Sequence, residues 1–288
     1  MSRPSPLRTR ADRCPGVLRP WPAADGALLR IRLVGGRLHP DQLEGLARLA
    51  SEYADGSVHL TVRGNVQLRA VPPGRVTRVA DGIADLGLLP APDHERVRNV
   101  LVSPLTGRAG GLTDLRPVAR RLDGLLCADP ELARLPGRFL FVLDDRGDLG
   151  DHRADLGALA LDDRRARLVA GGRLGPEVDL TEVPGRLVAL ARRFLGLRGT
   201  GTAAAWHVAE LSGGAAALGG FDGATVVAST APPAPGPIPQ DDSRHAKHLP
   251  VPGGTLTPAL VSDVLTEAAG ELVVTPWHSV LLTDLEAR

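Results

Sequence analysis

Hydrophobic and polar residues alternate in the stretch V-H-L-T-V-R-G-N-V-Q-L, which runs from Val58 to Leu68. Side chains switch face at every residue of an extended chain, so the pattern predicts one strand with an apolar packing face. The opposite face would carry Thr61, Arg63, Asn65 and Gln67. A guanidinium beside amide groups suits an anionic, oxygen-rich ligand, and a solvated strand face is the alternative.

A related pattern recurs near the C-terminus and indicates an internal repeat. The first copy contains L-V-G-G-R-L-H-P, a helical stretch and G-S-V-H-L-T-V-R, and the second contains P-V-P-G-G-T-L-T-P, a helical stretch and G-E-L-V-V-T-P-W-H-S-V. Gly36 and Gly254 lie 218 positions apart, whereas Gly56 and Gly270 lie 214 apart, so the second helical stretch is four residues shorter. Two distant copies predict one duplicated unit that packs about a pseudo-twofold axis.

Each copy is predicted to form a strand, a Gly-Gly turn, a helix and a strand. Pro40 and Pro258 suit the first turn of a helix, where the missing N–H costs nothing. Thr257 is a good residue to cap the second helix, and His39 is a poorer one for the first. The polar strand face is not duplicated, because the equivalents of its residues are Trp277 for Arg63, Ser279 for Asn65 and Leu281 for Gln67.

The segment between the copies reads as a mixture of helices and short strands. Helices are predicted at 114–127 and 184–195, and a strand at F-L-F-V-L after Pro136-Gly137-Arg138. The acidic run D-D-R-G-D at Asp144 to Asp148 favours a hairpin turn over a calcium loop. The predicted divisions are an irregular extension at 1–24, a first half domain at 25–90, an α+β domain at 91–230, a proline-rich linker at 231–246 and a second half domain at 247–288.

Composition narrows the class of protein. With 43% hydrophobic and 23% charged residues among 288, the chain is typical of a soluble globular protein. The net charge of +1 and the absence of a separate basic block argue against a nucleic-acid binder. No apolar run approaches the roughly 18 residues of a membrane span, and residues 1–10 lack the apolar centre of a secretory signal, so we expect a cytoplasmic protein.

Several motifs taken together resemble the nitrite/sulfite reductase family. They are L-L-R-I-R-L-V-G-G-R-L, H-L-T-V-R-G-N-V-Q-L, R-N-V-L-V-S-P-L-T-G and the degenerate T-P-W-H-S-V of the second copy. The opening C-P-G-V-L-R-P, from Cys14 to Pro20, points within this family to the precorrin-3B synthase branch of cobalamin biosynthesis. The resemblance implies an α+β fold with two ferredoxin-like half domains flanking a mixed domain, and a tetrapyrrole held between them.

The resemblance also implies which residues bind the tetrapyrrole. Arg30, Arg63 and Arg98 fall where the family places anion-binding arginines, Arg138 replaces a lysine, and Gln67 matches a glutamine. The resulting candidate set is Arg30, Arg63, Asn65, Gln67, Arg98, Asn99 and Arg138. Leu140 stands where the family has a second lysine, which disfavours sulfite-type chemistry.

Cofactor chemistry is where the chain departs from the family. Members hold a 4Fe-4S cluster through four cysteines beyond the second half domain, but the chain has only Cys14 and Cys127 and offers no C-x-x-C pair. One expectation is therefore a truncated or split oxidoreductase whose cluster-binding segment comes from a second chain. The alternatives are a cluster-free tetrapyrrole-binding or assembly protein, and a fragment of a sirohaem-type reductase.

The precorrin-3B synthase branch implies that the tetrapyrrole is substrate rather than cofactor. Precorrin-3A would be hydroxylated and closed to a lactone with O₂ and an iron–sulfur cluster. Mononuclear iron is a further candidate cofactor, for which the sequence suggests no ligands. The resemblance implies an oxidoreductase, whereas the missing cluster cysteines argue against turnover by this chain alone.

Overall fold

The computed structural model describes residues 12–226 and 230–286, and these divide into two compact units. We call residues 15–95 and 232–286 the half-domain unit, and residues 12–14 and 96–231, apart from 227–229, the mixed-sheet unit. Each is described by itself.

Helices and strands alternate through most of the described chain. The helices are α1 (Pro40–Tyr53), α2 (Val76–Asp85), α3 (Arg116–Cys127), α4 (Val183–Leu197) and α5 (Pro258–Glu267). The strands are β1 (Trp21–Ala23), β2 (Gly26–Ile31), β3 (Arg37–Leu38), β4 (Val58–Leu60), β5 (Val66–Val71), β6 (Val100–Val102), β7 (Phe141–Asp144), β8 (Leu156–Ala160), β9 (Arg165–Ala170), β10 (Arg173–Asp179), β11 (Gly236–Pro239), β12 (His245–Pro250), β13 (Thr255–Leu256), β14 (Leu272–Val274) and β15 (Ser279–Leu285). None of these helices is long and apolar enough to cross a bilayer.

The half-domain unit contains two five-stranded antiparallel sheets that exchange a strand. The first sheet has the order β1-β2-β5-β4-β13, and the second has the order β11-β12-β15-β14-β3. The short strand that follows the Gly-Gly turn of each copy therefore pairs with the sheet of the other copy. This confirms the predicted duplication, and α1 with 14 residues against α5 with 10 reproduces the difference of four.

One hydrophobic core serves both copies. Leu29, Leu46 and Leu68 of the first copy lie in the same buried cluster as Val261 and Leu282 of the second. The Gly-Gly turns bring the copies close, since a Cβ on Gly36 would lie 2.1 Å from the carbonyl oxygen of Val274. Two sheets that share a core and exchange edge strands form one cooperative unit.

The predicted single strand from Val58 to Leu68 is wrong, because the chain folds there into the hairpin β4–β5. Gly64 has φ +64°, and its N–H donates to the Thr61 carbonyl at 3.1 Å. Val62 at the turn is 55% exposed instead of packing inward. The Gly64-Asn65 pair, which the alternating pattern obscured, is the turn signal. In the second copy His278, with φ +54°, takes the position of Gly64.

Both copies begin with a short edge strand that proline concealed in the sequence. Strand β1 lies within the segment 1–24, for which irregular structure was predicted, and β11 lies within the predicted linker 231–246. Each is the outermost strand of its sheet, where proline is tolerated because the missing N–H faces away from the ladder.

The mixed-sheet unit is built on a sheet of order β10-β9-β8-β7-β6. Strands β6, β7 and β8 run parallel, and β8 to β10 form an antiparallel meander. The predicted hairpin turn at Asp144 to Asp148 is wrong, because β7 and β8 are parallel and parallel neighbours need a longer connection. The predicted helices correspond to α3 and α4, which pack together, and Phe194 of α4 contacts Phe139 with ring centroids 4.9 Å apart.

Candidate functional site

The predicted binding residues are divided between the two units. Arg30, Arg63, Asn65 and Gln67 belong to the half-domain unit, and Arg98, Asn99 and Arg138 belong to the mixed-sheet unit. The geometry of each group is given in turn.

Arg30 and Gln67 form a cross-strand pair in the first sheet. They are direct partners on β2 and β5, so both side chains stand on the same face, opposite Leu29 and Val66. With its amide carbonyl turned toward Arg30, Gln67 accepts from Arg30 Nε at 2.7 Å and also from Nη2. Gln67 is neutral, so it holds the guanidinium in place without cancelling its charge.

This polar row continues across two more strands. His59 on β4 is the partner of Gln67, and Thr255 on β13 is the partner of His59. The His59 ring lies between Asp55, at 2.7 Å from Nε2, and the Thr255 hydroxyl, at 3.4 Å from Nδ1. His59 was not in the predicted set, although the alternation Val58-His59-Leu60 could have placed it there. Thr255 comes from the other copy, and nothing in the sequence near it indicates this position.

The second sheet confirms that the polar row is not duplicated. Its equivalent row contains His248, Leu281, Val273 and Arg37. Leu281 and Val273 replace the two central polar groups. His248 is engaged within its own copy, where Nδ1 donates to the Pro233 carbonyl at 2.9 Å and Nε2 lies 2.6 Å from the Ser279 hydroxyl.

Asn65 and Arg63 have different positions from those predicted. The side-chain oxygen of Asn65 accepts from the Leu33 N–H at 2.9 Å, and the residue is only 2% exposed. This bond ties the hairpin turn to the chain that follows β2. Arg63 lies half-buried at the tip of the turn and not on the polar face of a strand beside Gln67.

Arg98 is held by an acidic partner. Its Nε and Nη2 donate to the two carboxylate oxygens of Asp123 on α3, both at 2.7 Å. Burial alone would lower the pKa of Arg98, but the Asp123 contact outweighs it and the pKa is raised. Such a bidentate pair balances the charge of the guanidinium. Asn99 is buried at 1% exposure, and its carbonyl accepts from the Phe141 N–H at 2.9 Å.

Arg138 is exposed on a loop that the N-terminal segment holds in place. The Asp12 carboxylate accepts from the Gly137 N–H at 2.6 Å and from the Cys14 N–H at 3.0 Å. A Cβ on Gly137 would lie 2.9 Å from Cβ of Cys14, so only glycine fits there. Leu140 is buried, in agreement with its apolar character.

Three buried aspartates surround Ser103 in the mixed-sheet unit. The Ser103 hydroxyl lies 2.9 Å from oxygens of both Asp144 and Asp148. Neither carboxylate oxygen of Asp145 meets a hydrogen-bond donor among the described residues, and burial raises the pKa of Asp145 to about 6. No three His, Cys, Asp or Glu side chains of the described residues are arranged to hold a metal ion.

The chain's thiols do not fit a 4Fe-4S cluster. Such a cluster needs four thiolates, and the sequence has two cysteines. Sγ of Cys127 lies 3.9 Å from the Asp123 carboxylate, and burial, reinforced by Asp123, raises the pKa of this thiol. That environment favours the protonated thiol, which is a poor metal ligand.

Residues 22–86, which include β1 to β5 and the Arg30–Gln67 pair, match the model of the nitrite/sulfite reductase ferredoxin-like half domain. The first copy of the repeat is therefore similar to a half domain of the nitrite/sulfite reductase family. A precorrin-3B synthase of Sinorhizobium sp is 30% identical over 156 residues, which are 54% of this chain and 32% of that protein. A ferredoxin–nitrite reductase of Leptolyngbya laminosa is 29% identical over 119 residues, which are 39% and 23% of the two chains.

Similarity of fold to a solved structure extends over most of the chain. The structure of the Mycobacterium tuberculosis NirA protein matches 90% of this chain and 54% of its own, with a TM-score of 0.72 and 19% identity. This match confirms the expected α+β fold class. The chain spans about a third or less of these curated relatives in the matched regions and about half of NirA.

Proposed function

We propose that the chain binds a polycarboxylate tetrapyrrole as a precorrin-3B synthase-like member of the nitrite/sulfite reductase family. The Arg30–Gln67 pair carries this proposal. Gln67 accepts from the Arg30 guanidinium and fixes it on one face of the first sheet. The equivalent positions in the second copy, His248 and Leu281, lack this chemistry, so binding is assigned to the first copy.

An acid-fringed macrocycle is the ligand class that fits best. Each charge-assisted hydrogen bond between a fixed guanidinium and a carboxylate contributes roughly 1.5–3 kcal/mol when both are shielded from water. A tetrapyrrole with several carboxylates can use such contacts repeatedly. Arg30 and Arg63 are the arginines of the half-domain unit that we assign to this role, and Arg98 and Arg138 are those of the mixed-sheet unit.

The reaction we assign is the oxidative hydroxylation of precorrin-3A with closure to a lactone. Insertion of one oxygen atom of O₂, with the other atom leaving as water, takes up two electrons and two protons. The two cysteines of this chain provide no cluster to carry those electrons, so a second chain that supplies the cluster-binding segment is part of the proposal. The residues described here bind and orient the macrocycle.

A cluster-free tetrapyrrole-binding protein is the second candidate. Incubation of the purified chain with precorrin-3A, O₂ and a chemical reductant separates the two. Product formation supports the enzyme, whereas binding without product supports the second candidate. The third candidate, a sirohaem-type reductase fragment, is disfavoured by the buried Leu140 at a position of basic character in that branch.

Binding itself is tested with uroporphyrin III, a macrocycle fringed with carboxylates, by fluorescence quenching. Arg30→Gln should weaken binding about tenfold or more, the size of one charge-assisted contact. Arg165→Gln, an exposed arginine paired with Asp162, is the matched control and should bind as the unaltered chain does. Equal affinity of the Arg30→Gln variant, with an unchanged Tm, would contradict the proposed site.

A further inference from the structure

Three separate segments of the mixed-sheet unit converge on the carboxylate of Asp155. One oxygen accepts from the Leu140 N–H and the other from the Val208 N–H, both at 2.9 Å. The Asp155 N–H in turn donates to the Leu140 carbonyl at 2.9 Å. Asp155 is fully buried, so its carboxylate is hydrogen-bonded to these segments and not to water.

Basic residues stand next to this convergence in each of the three segments. Arg138 lies two residues before Leu140, Arg153 lies two residues before Asp155, and His207 directly precedes Val208. Both arginines are exposed, while the His207 side chain is 21% exposed. Nε2 of His207 lies 3.4 Å from the Arg153 carbonyl and 3.6 Å from Asp155.

The electrostatics of His207 agree with this arrangement. Burial lowers the pKa of His207, and the charges of Arg138 and Arg153 lower it further, against opposing effects of the Arg153 carbonyl and Glu210. Nδ1 accepts from the Ala209 N–H at 3.0 Å, which assigns the proton to Nε2. His207 is therefore neutral and senses both arginines, together with the carboxylates of Asp155 and Glu210.

We propose that Arg153 and Arg138 form a carboxylate-binding pair, positioned by Asp155, that takes one acidic side chain of the tetrapyrrole. Arg153 thereby adds a second positive charge to that of Arg138, from the segment that leads into β8. Each guanidinium group offers parallel N–H donors to a carboxylate, so two arginines provide twice the donors of one. This inference rests on the proposed tetrapyrrole function and extends it to a residue outside the predicted set.

The first test concerns the free protein and needs no ligand. Arg153→Gln should raise the pKa of His207, followed by the NMR chemical shifts of its ring, because a nearby positive charge is removed. Arg164→Gln, an exposed arginine of the same unit, is the control and should leave the His207 titration unchanged. An unmoved His207 titration in Arg153→Gln would show that the charges are not gathered, and would overturn the inference whatever the ligand does.

The second test measures binding of uroporphyrin III. Arg153→Gln should weaken binding at least about fivefold, Arg153→Lys should recover part of the loss, and Arg164→Gln should have no effect. If the unaltered chain binds and Arg153→Gln binds equally well, the carboxylate pair is overturned while the proposed function stands. If the unaltered chain does not bind at all, both are overturned. The Tm of every variant is compared with that of the unaltered chain to exclude unfolding.

Discussion

At the scale of the residue, the chain uses similar side chains for different purposes, and the environment decides between them. Arg30 is oriented by a neutral amide, whereas Arg98 is bound by a carboxylate. Asn65, expected to contact a ligand, instead completes a turn. The sequence identifies candidate binding residues by their type and spacing. It does not show whether a carboxylate neutralises them, because that carboxylate can come from a distant element, as Asp123 of α3 does for Arg98.

Asp145 should make the stability of the protein depend on pH. Its native pKa of about 6 lies above the usual 3.8, so the native state holds a proton that the unfolded chain releases between about pH 4 and 6. The free energy of unfolding should therefore fall as pH rises through that window, by about 3 kcal/mol in total. Asp145→Asn should be the more stable protein at pH 7.5, with an advantage that shrinks toward pH 4.

Urea denaturation at pH 4.5, 6.0 and 7.5 measures this effect. Asp151→Asn, which alters an exposed aspartate close in sequence, is the control. Asp148 has a pKa raised in the same direction, so part of the slope should persist in Asp145→Asn. If the free energy of unfolding of Asp145→Asn depends on pH as that of the unaltered chain does, ionisation of Asp145 does not destabilise the native state.

Gly64 should be sensitive to substitution because its φ of +64° disfavours a side chain. Gly64→Ala should lower the free energy of unfolding by about 1–2 kcal/mol. Gly74→Ala is the matched control, since Gly74 has no positive φ and a Cβ there meets nothing within 4 Å. Chemical denaturation of the two variants gives the comparison, and equal stabilities would argue against the hairpin turn.

At the scale of the element, periodicity predicted most helices and many strands, and it failed where local turn chemistry intervened. The apolar stripes of α1 and α5 identified both helices, and Thr257 caps α5 as expected. His39 proved a better cap than expected, because Gln42 completes a reciprocal pair of bonds with it. The hairpin β4–β5 was missed because its turn preserves the alternation of apolar residues, so a period of two could not reveal the break.

The pairing of α3 with the start of β6 through Asp123 and Arg98 should be strongly stabilising. Asp123→Asn leaves a guanidinium that is mostly shielded from solvent without its counter-charge, which typically costs about 3 kcal/mol or more. The same change should lower the pKa of Cys127, because the nearby negative charge is removed, and so speed alkylation of that thiol by iodoacetamide.

Glu131→Gln provides the control for that experiment. Glu131 makes an exposed ion pair with Arg134 in the same unit, so its loss should cost less than about 1 kcal/mol and leave Cys127 unchanged. The rates are measured in a Cys14→Ser background so that one thiol reports. Slower or equal alkylation in Asp123→Asn would contradict the assigned charge environment.

At the scale of the whole molecule, the repeat made the α+β architecture predictable, whereas the strand exchange could not be foreseen. Strands β3 and β13 have two residues each, too few to carry a pattern that names a partner. Their pairing follows from how the two copies approach through the Gly-Gly turns, which is a property of the packed unit. The position of Thr255 in the polar row was hidden from the sequence for the same reason.

A substitution in β13 of the second copy should therefore destabilise the sheet of the first copy. Leu256 on β13 is 1% exposed and pairs with Val58 of β4, so Leu256→Ala should cost about 2–5 kcal/mol. Native-state hydrogen exchange should show the lost protection at amides of β4 and β5 as well as in the second copy. Leu197→Ala, at a half-exposed leucine of α4, should leave these amides protected.

The exchange of short strands also has a consequence for biosynthesis. Residue 60 leaves the ribosome 195 residues before Thr255, which at typical elongation rates means roughly 10–40 s during which β4 has no neighbour on that side. The nascent chain thus carries an open sheet edge until Thr255 has been synthesised. The first sheet is therefore completed late, through a contact between residues far apart in sequence. Until then the open edge of β4 is the segment that a chaperone would shield.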